Sequence, residues 1–168
     1  MTVEEAIKTA LEYENKVRDV YRDAEKGSER PDSARFFGVM AEEEQRHVDY
    51  LESKLTQWES DGTVTEDGLS TAVPPAERIE AEAEKLKDRV GGKPARIEME
   101  YLRKAHAVER ETSEFYASMV AQLSGDARGL FRRFVEIEEG HLALVQAQID
   151  LATGTGYWFD VREFNLEG

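Results

Sequence analysis

The sequence predicts an all-α protein: a four-helix bundle with a long crossover, containing a short extra helix, between helices 2 and 3. Three observations predict it. Four long stretches repeat their apolar residues every three or four positions, the helical period. Charged residues make up 35% and hydrophobic ones 40%, with only 4 Pro, a mix that suits long amphipathic helices. A turn-rich stretch, SDGTVTEDGLSTAVPP at 60–75, sets the first two helices apart from the rest. A chain of 168 residues is expected to build one core, with 1–154 as the bundle and 155–168 as an aromatic tail.

Residues 2–26 form the first helix, with Thr2 as its N-cap and Gly27 as its stop. Its stripe runs Val3, Ile7, Ala10, Val17, Tyr21 and Ala24, and position 14, in mid-stripe, holds glutamate. Pro31 opens the second helix, where its missing N–H is an orphan anyway. That helix continues to about Trp58, with Phe37, Met40, Glu44, His47, Leu51 and Trp58 on its inner face. Glu42 and Glu43 fall off this face and read as solvated. After 60–75, Ala76 to Val90 reads as a short charged helix ended by GGKP. A long crossover of this kind lets a second helical hairpin return parallel to the first.

Pro94 opens the third helix, 94–124, whose seam is Leu102, His106, Glu109, Thr112, Tyr116, Met119 and Leu123. The fourth, about 127–153, carries Phe131, Phe134, Glu138, His141, Val145 and Ala152. Gly140 within it costs about 1 kcal/mol relative to alanine. It marks either a close approach near the candidate site or an indifferent surface position. The tail TGTGYWFDVREFNLEG is too aromatic for a solvated end. It is expected to pack on the bundle or on a neighbouring subunit.

The two halves repeat a pattern. Glu14 precedes Tyr21 by seven residues, as Glu109 precedes Tyr116. Glu14 lies 30 residues before Glu44-x-x-His47, and Glu109 lies 29 before Glu138-x-x-His141. Residues three apart share a helix face, so each Glu-x-x-His aims a carboxylate and an imidazole at one point. Folded as a bundle, the four seams bring four carboxylates and two imidazoles to one level of the core. Buried like charges repel and desolvate badly, whereas two divalent ions would neutralise them. One Glu-x-x-His on a Glu-rich helix is common by chance. The repeat carries the reading, against the alternative that these glutamates face water.

The chain has no cysteine, which excludes disulfides, thiolate catalysis and metal–thiolate sites and leaves only N and O ligands. Oxygen-rich sets with one imidazole per metal suit iron or manganese. A Glu from each of two helices and Glu-x-x-His from each of the other two is the donor set of di-iron and di-manganese carboxylate bundles. One metal is expected near Glu14, Glu44 and His47, and the other near Glu109, Glu138 and His141. Glu44 and Glu138 are the expected bridges, Glu14 and Glu109 the terminal ligands. Tyr21 and Tyr116 are candidate hydrogen-bond donors to the cluster, or simple core residues. His106 reads as structural or supporting rather than as a ligand.

A net charge of −14 argues against nucleic acid or an anionic membrane as partner. The start MTVEEAIKTA lacks the basic and apolar segments of a signal peptide. No apolar run approaches the roughly 18–20 residues of a membrane span. A soluble cytoplasmic protein is expected.

With these motifs in view, the chain resembles the rubrerythrin branch of the ferritin-like superfamily. The resemblance rests on Glu14 with Tyr21, EEQRH at 43–47, Glu109 with Tyr116, EEGH at 138–141, and the aromatic GYWFDVREF. It implies a non-haem di-iron site that reacts with peroxide or dioxygen, usually in a homodimer. Rubrerythrins proper add a rubredoxin-like domain with four iron-binding cysteines. Without cysteine, this chain would need a separate electron donor. They also carry a further carboxylate one turn after the third-helix Glu, where this sequence has Thr112. That departure bears on peroxide reduction; iron storage or delivery without sustained turnover, as in ferritins, is the second reading, and a metal that only stabilises the fold is the third.

Overall fold

Five helices follow one another: α1 Val3–Gly27, α2 Pro31–Asp61, α3 Ala76–Leu86, α4 Arg96–Gln122 and α5 Gly125–Gly154. The computed structural model describes residues 1–93 and 96–162. Pro94 as a helix opener and the tail beyond Arg162 therefore lie outside the described residues. α1 pairs with α2, α4 with α5, and α1 with α4, while the short α3 lies on α5. This is the expected bundle of two helical hairpins, and no helix among the described residues is long and apolar enough to cross a membrane.

Local chemistry explains the ends. Thr2 caps α1 in a reciprocal box with Glu5: the Glu5 amide donates to Thr2 Oγ1 at 3.2 Å, and the Thr2 amide to Glu5 Oε2 at 2.8 Å. α2 runs past Trp58 to Asp61 and stops at Gly62, whose left-handed φ of 69° suits glycine. Arg30 at its N-cap makes no side-chain cap, but Asp32 Oδ1 accepts from the Ser33 amide at 2.8 Å, and buried Glu98 of α4 accepts from the Glu29 and Arg30 amides just ahead of the helix. α3 ends at Leu86 rather than Val90, because only Ile79 of this helix is buried and the chain then turns toward the end of α5. There the Gly91 amide donates to Thr155 O at 3.0 Å. A Cβ on Gly91 would lie 2.1 Å from Gly156 O, so two backbones touch where a side chain would not fit.

The aromatic tail folds back on its own bundle as far as it is described. Trp158, Phe159 and Val161 are buried. The Trp158 ring meets Phe36 and Phe37 at 5.7 and 5.6 Å between centroids. Gln148 of α5 pins the segment, donating to Tyr157 O and accepting from the Phe159 amide.

The crossover straps the gap between α2 and α5. The Tyr50 hydroxyl of α2 donates to Asp67 O, and Lys54 Nζ to Thr65 Oγ1. Further along, Val73 is buried, and a Cβ on Gly140 of α5 would stand 2.9 Å from Pro74 O. The close approach at Gly140 is thus to the crossover. Gly140→Ala is expected to lower the melting temperature despite the roughly 1 kcal/mol that alanine gains in helix propensity, because the obstructing atom is backbone. A thermal melt checks the sign.

The apolar interior divides in two. One cluster gathers Val17, Tyr21, Phe36, Phe37, Leu102 and Val145; the other gathers Ile7, Leu51, Tyr116, Met119, Phe131 and Phe134. The level between them is polar.

Candidate metal centre

That polar level holds all six residues that the repeat singles out. α1 contributes Glu14, α2 Glu44 and His47, α4 Glu109, and α5 Glu138 and His141; each is 0% exposed. The His47 and His141 rings stack 5.2 Å apart at 4°. Both turn Nδ1 toward the carboxylates. His47 Nδ1 lies 3.3 Å from Glu14 Oε2 and 3.1 Å from Glu44 Oε2. His141 Nδ1 lies 2.9 Å from Glu44 Oε1 and 3.6 Å from Glu109 Oε1. Glu44 thus spans the two imidazoles, one oxygen to each. Glu138 Oε1 sits midway, 3.9 Å from His47 Nδ1 and 3.8 Å from His141 Nδ1. One donor atom each from Glu44, His47, Glu138 and His141 fits within 4.8 Å.

These donors fit metal ions better than they fit one another. Both oxygens of Glu44 and of Glu138, Oε2 of Glu109 and Nδ1 of His141 are buried and make no hydrogen bond among the described residues. A buried polar atom without a partner costs roughly 1–3 kcal/mol, more if charged. Six such atoms converging on one level form a donor set that could hold a cation.

The carboxylates divide electrostatically into a central and an outer pair. Burial, then the Glu109 charge, pushes Glu44 up to about 7. The same two causes hold Glu138 well above the usual carboxylate range. Burial also works on Glu14 and Glu109, but adjacent His47 and His141 respectively outweigh it and lower both. For the imidazoles, burial favours the neutral form, yet the surrounding carboxylates, Glu44 foremost, raise both well above the ordinary value. Anionic charge is least tolerable on Glu44 and Glu138, the positions where a cation would relieve most.

The tyrosines cross over. Tyr21 of α1 donates to Glu109 Oε1 of α4 at 2.6 Å, and Tyr116 of α4 donates to Glu14 Oε1 of α1. Burial, then the accepting carboxylate, raises each phenol, so both remain donors. Tyr21→Phe and Tyr116→Phe should each cost about 1.5–3 kcal/mol, the range for hydrogen bonds to charged groups. The near-symmetry predicts similar losses, measured by denaturant unfolding.

Two residues lie where the sequence does not place them, Glu43 and His106, and Glu43 also has a role that its spacing alone does not show. Glu43, read as solvated, is 0% exposed; Glu42 beside it is exposed as expected. α2 has a second covered face, because the crossover lies against it, and the Glu43 carboxylate points there. It accepts from Thr71 Oγ1, from the Ala72 amide at 3.2 Å and from Arg46. Its Oε1 stands 3.4 Å from His141 Nε2 and 3.7 Å from His47 Nε2. Burial opposes its charge, but His141 within hydrogen-bond distance and His47 just beyond it hold the carboxyl well below the usual range. The available signal was that Glu43 sits four residues before His47, hence over the same turn.

His106 leaves the seam: it lies half-buried in a surface groove with Arg110 and Glu139, and Ala105 takes the inner position. Thr112 is buried and donates its hydroxyl to Val108 O at 2.8 Å within its own helix, so it offers the centre no donor.

Comparison with known families gives a match to the rubrerythrin model over residues 5–149. No curated protein and no solved structure matches the chain.

Proposed function

The chain belongs to the rubrerythrin family, and from that premise we propose that it is a non-haem di-iron oxidoreductase that reduces peroxide or dioxygen. The observation that carries this reading is the convergence of buried donor atoms without hydrogen-bond partners on Glu44, Glu109, Glu138 and His141. Glu14, Glu44 and His47 would hold one iron, and Glu109, Glu138 and His141 the other. Glu44 and Glu138 would bridge, since each lies within reach of both imidazoles. Two divalent ions offset the four carboxylate charges, and the cysteine-free N/O set suits iron or manganese over copper(I).

When bound, the iron pair supplies the two electrons that reduce the oxidant. The residues do the rest. His47 and His141 present Nδ1 inward. Tyr21 and Tyr116 keep their protons and hold Glu109 and Glu14 in place across the bundle. The two apolar clusters exclude bulk water from above and below. Electrons would arrive from outside these 168 residues, which have no cysteine for a rubredoxin-type iron site.

Thr112 favours a second reading, in which iron is oxidised and then stored or delivered without sustained turnover. Its hydroxyl is engaged within α4, where the resemblance expects a further carboxylate. Stopped-flow oxidation of the anaerobic di-iron(II) protein separates the two. Faster reaction with peroxide than with dioxygen, repeated after each chemical re-reduction, supports the reductase. A single oxidation followed by iron release or accumulation overturns it in favour of storage.

A further inference from the structure

Among the described residues, Glu43 is the one buried carboxylate at this level that the donor set does not use. It lies on the opposite side of the imidazoles from the others. Glu14, Glu44, Glu109 and Glu138 all approach Nδ1, whereas Glu43 approaches only the two Nε2 atoms. The rings are stacked nearly parallel, and the same Glu43 oxygen, Oε1, faces both Nε2 atoms. It is within hydrogen-bond distance of His141 at 3.4 Å, while His47 Nε2, at 3.7 Å, is buried without a hydrogen-bond partner among the described residues and has Glu43 as the carboxylate that faces it. The other side of that carboxylate is anchored by the Ala72 amide and Arg46, with Thr71 Oγ1 on Oε1. A neutral imidazole carries one proton. Donating it from Nε2 leaves Nδ1 with the lone pair, and such outer hydrogen bonds orient a ligating histidine and raise its basicity.

We infer that Glu43 is a positioning residue: one carboxylate, clamped by the crossover, sets the orientation and the protonated nitrogen of both His47 and His141 together. The inference rests on the proposed metal centre and adds to it that the two metal positions share a single outer support. Loss of Glu43 should therefore weaken both binding steps, while His47→Ala should first remove one. Glutamine fits poorly here, because its amide NH2 would face the Ala72 and Arg46 donors.

The test uses the full chain loaded with zinc(II) as a diamagnetic probe. Affinity is read by chelator competition and the imidazole nitrogens by long-range 1H–15N spectra. The chain has 3 His, so His106 serves as an internal reference outside the centre. Glu43→Gln should lower the affinity of both steps about 10-fold and Glu43→Ala about 100-fold, the span for such supports. The Nε2–H signals of His47 and His141 should move together while that of His106 stays. Thr71→Val, which removes one anchor of the clamp, should move the same two signals by less. If the wild type binds two zinc ions and both Glu43 variants match it in affinity and spectra, the clamp is wrong and the metal centre stands. If the wild type binds none, the metal reading itself fails and takes this inference with it.

Discussion

Glu138→Ala is expected to abolish tight iron binding, from about two irons per chain, the di-iron complement of such bundles, to less than one. Glu138 is equidistant from the two imidazoles, so its loss removes a ligand from both positions at once. His47→Ala and His141→Ala should each cause a sharp fall as well. Glu42→Ala, on the exposed face, should leave the content unchanged. Elemental analysis after anaerobic reconstitution with iron(II) reads all four, and a full complement in Glu138→Ala would mean that the centre is misplaced. The metal-free protein should respond in the opposite sense. Glu138→Gln keeps the volume and removes a charge whose ionisation burial and Glu109 oppose. It should raise the melting temperature by roughly 2–4 °C for each kcal/mol relieved. Function and stability pull apart here because a cluster built for cations is a burden without them.

The metal-free protein should lose stability as pH rises from 4.5 toward 7, the reverse of ordinary acid denaturation. Glu44 carries the sign: its folded value of about 7 lies above its unfolded 4.5. Between those values the folded chain binds more protons than the unfolded one, so stability falls with rising pH. At about 1.36 kcal/mol per unit, Glu44 alone accounts for about 3 kcal/mol. Glu138 is raised too and acts in the same direction from 4.5 upward, while His47 and His141, raised from 6.5, add to the loss only above that pH. Glu14, Glu109 and Glu43 are lowered, and their contribution is lost only as pH falls below 4.5. Metal binding requires these donors to release protons, so it strengthens with pH and so does the stability it adds. Melting curves of the metal-free and iron-loaded forms between pH 5 and 8 should diverge. Parallel curves would refute the assignment of Glu44 and Glu138 as the strained central pair.

Helical periodicity is enough to specify the bundle and the six converging residues. A helical period turns spacing into direction, so Glu14, Glu44, His47, Glu109, Glu138 and His141 declare their common face once their seams are drawn. The duplication then says that the faces meet. It did not determine what only non-periodic contacts decide. Tyr21 and Tyr116 were legible as two turns from a glutamate, yet each bonds the glutamate of the opposite hairpin, a choice made by how α1 packs on α4. His106 had seam spacing and still left the seam, because the inner position of that turn goes to buried Ala105, three residues after Leu102 and four before Glu109. Glu43 is the sharpest case. Its helix phase points away from the bundle axis, and it is buried only because the crossover, a stretch with no period to read, folds over that side of α2 and supplies Thr71 and Ala72. Local periodicity encodes which residues face a partner helix; an irregular strap is placed by the sum of its tertiary contacts, and so is everything it covers.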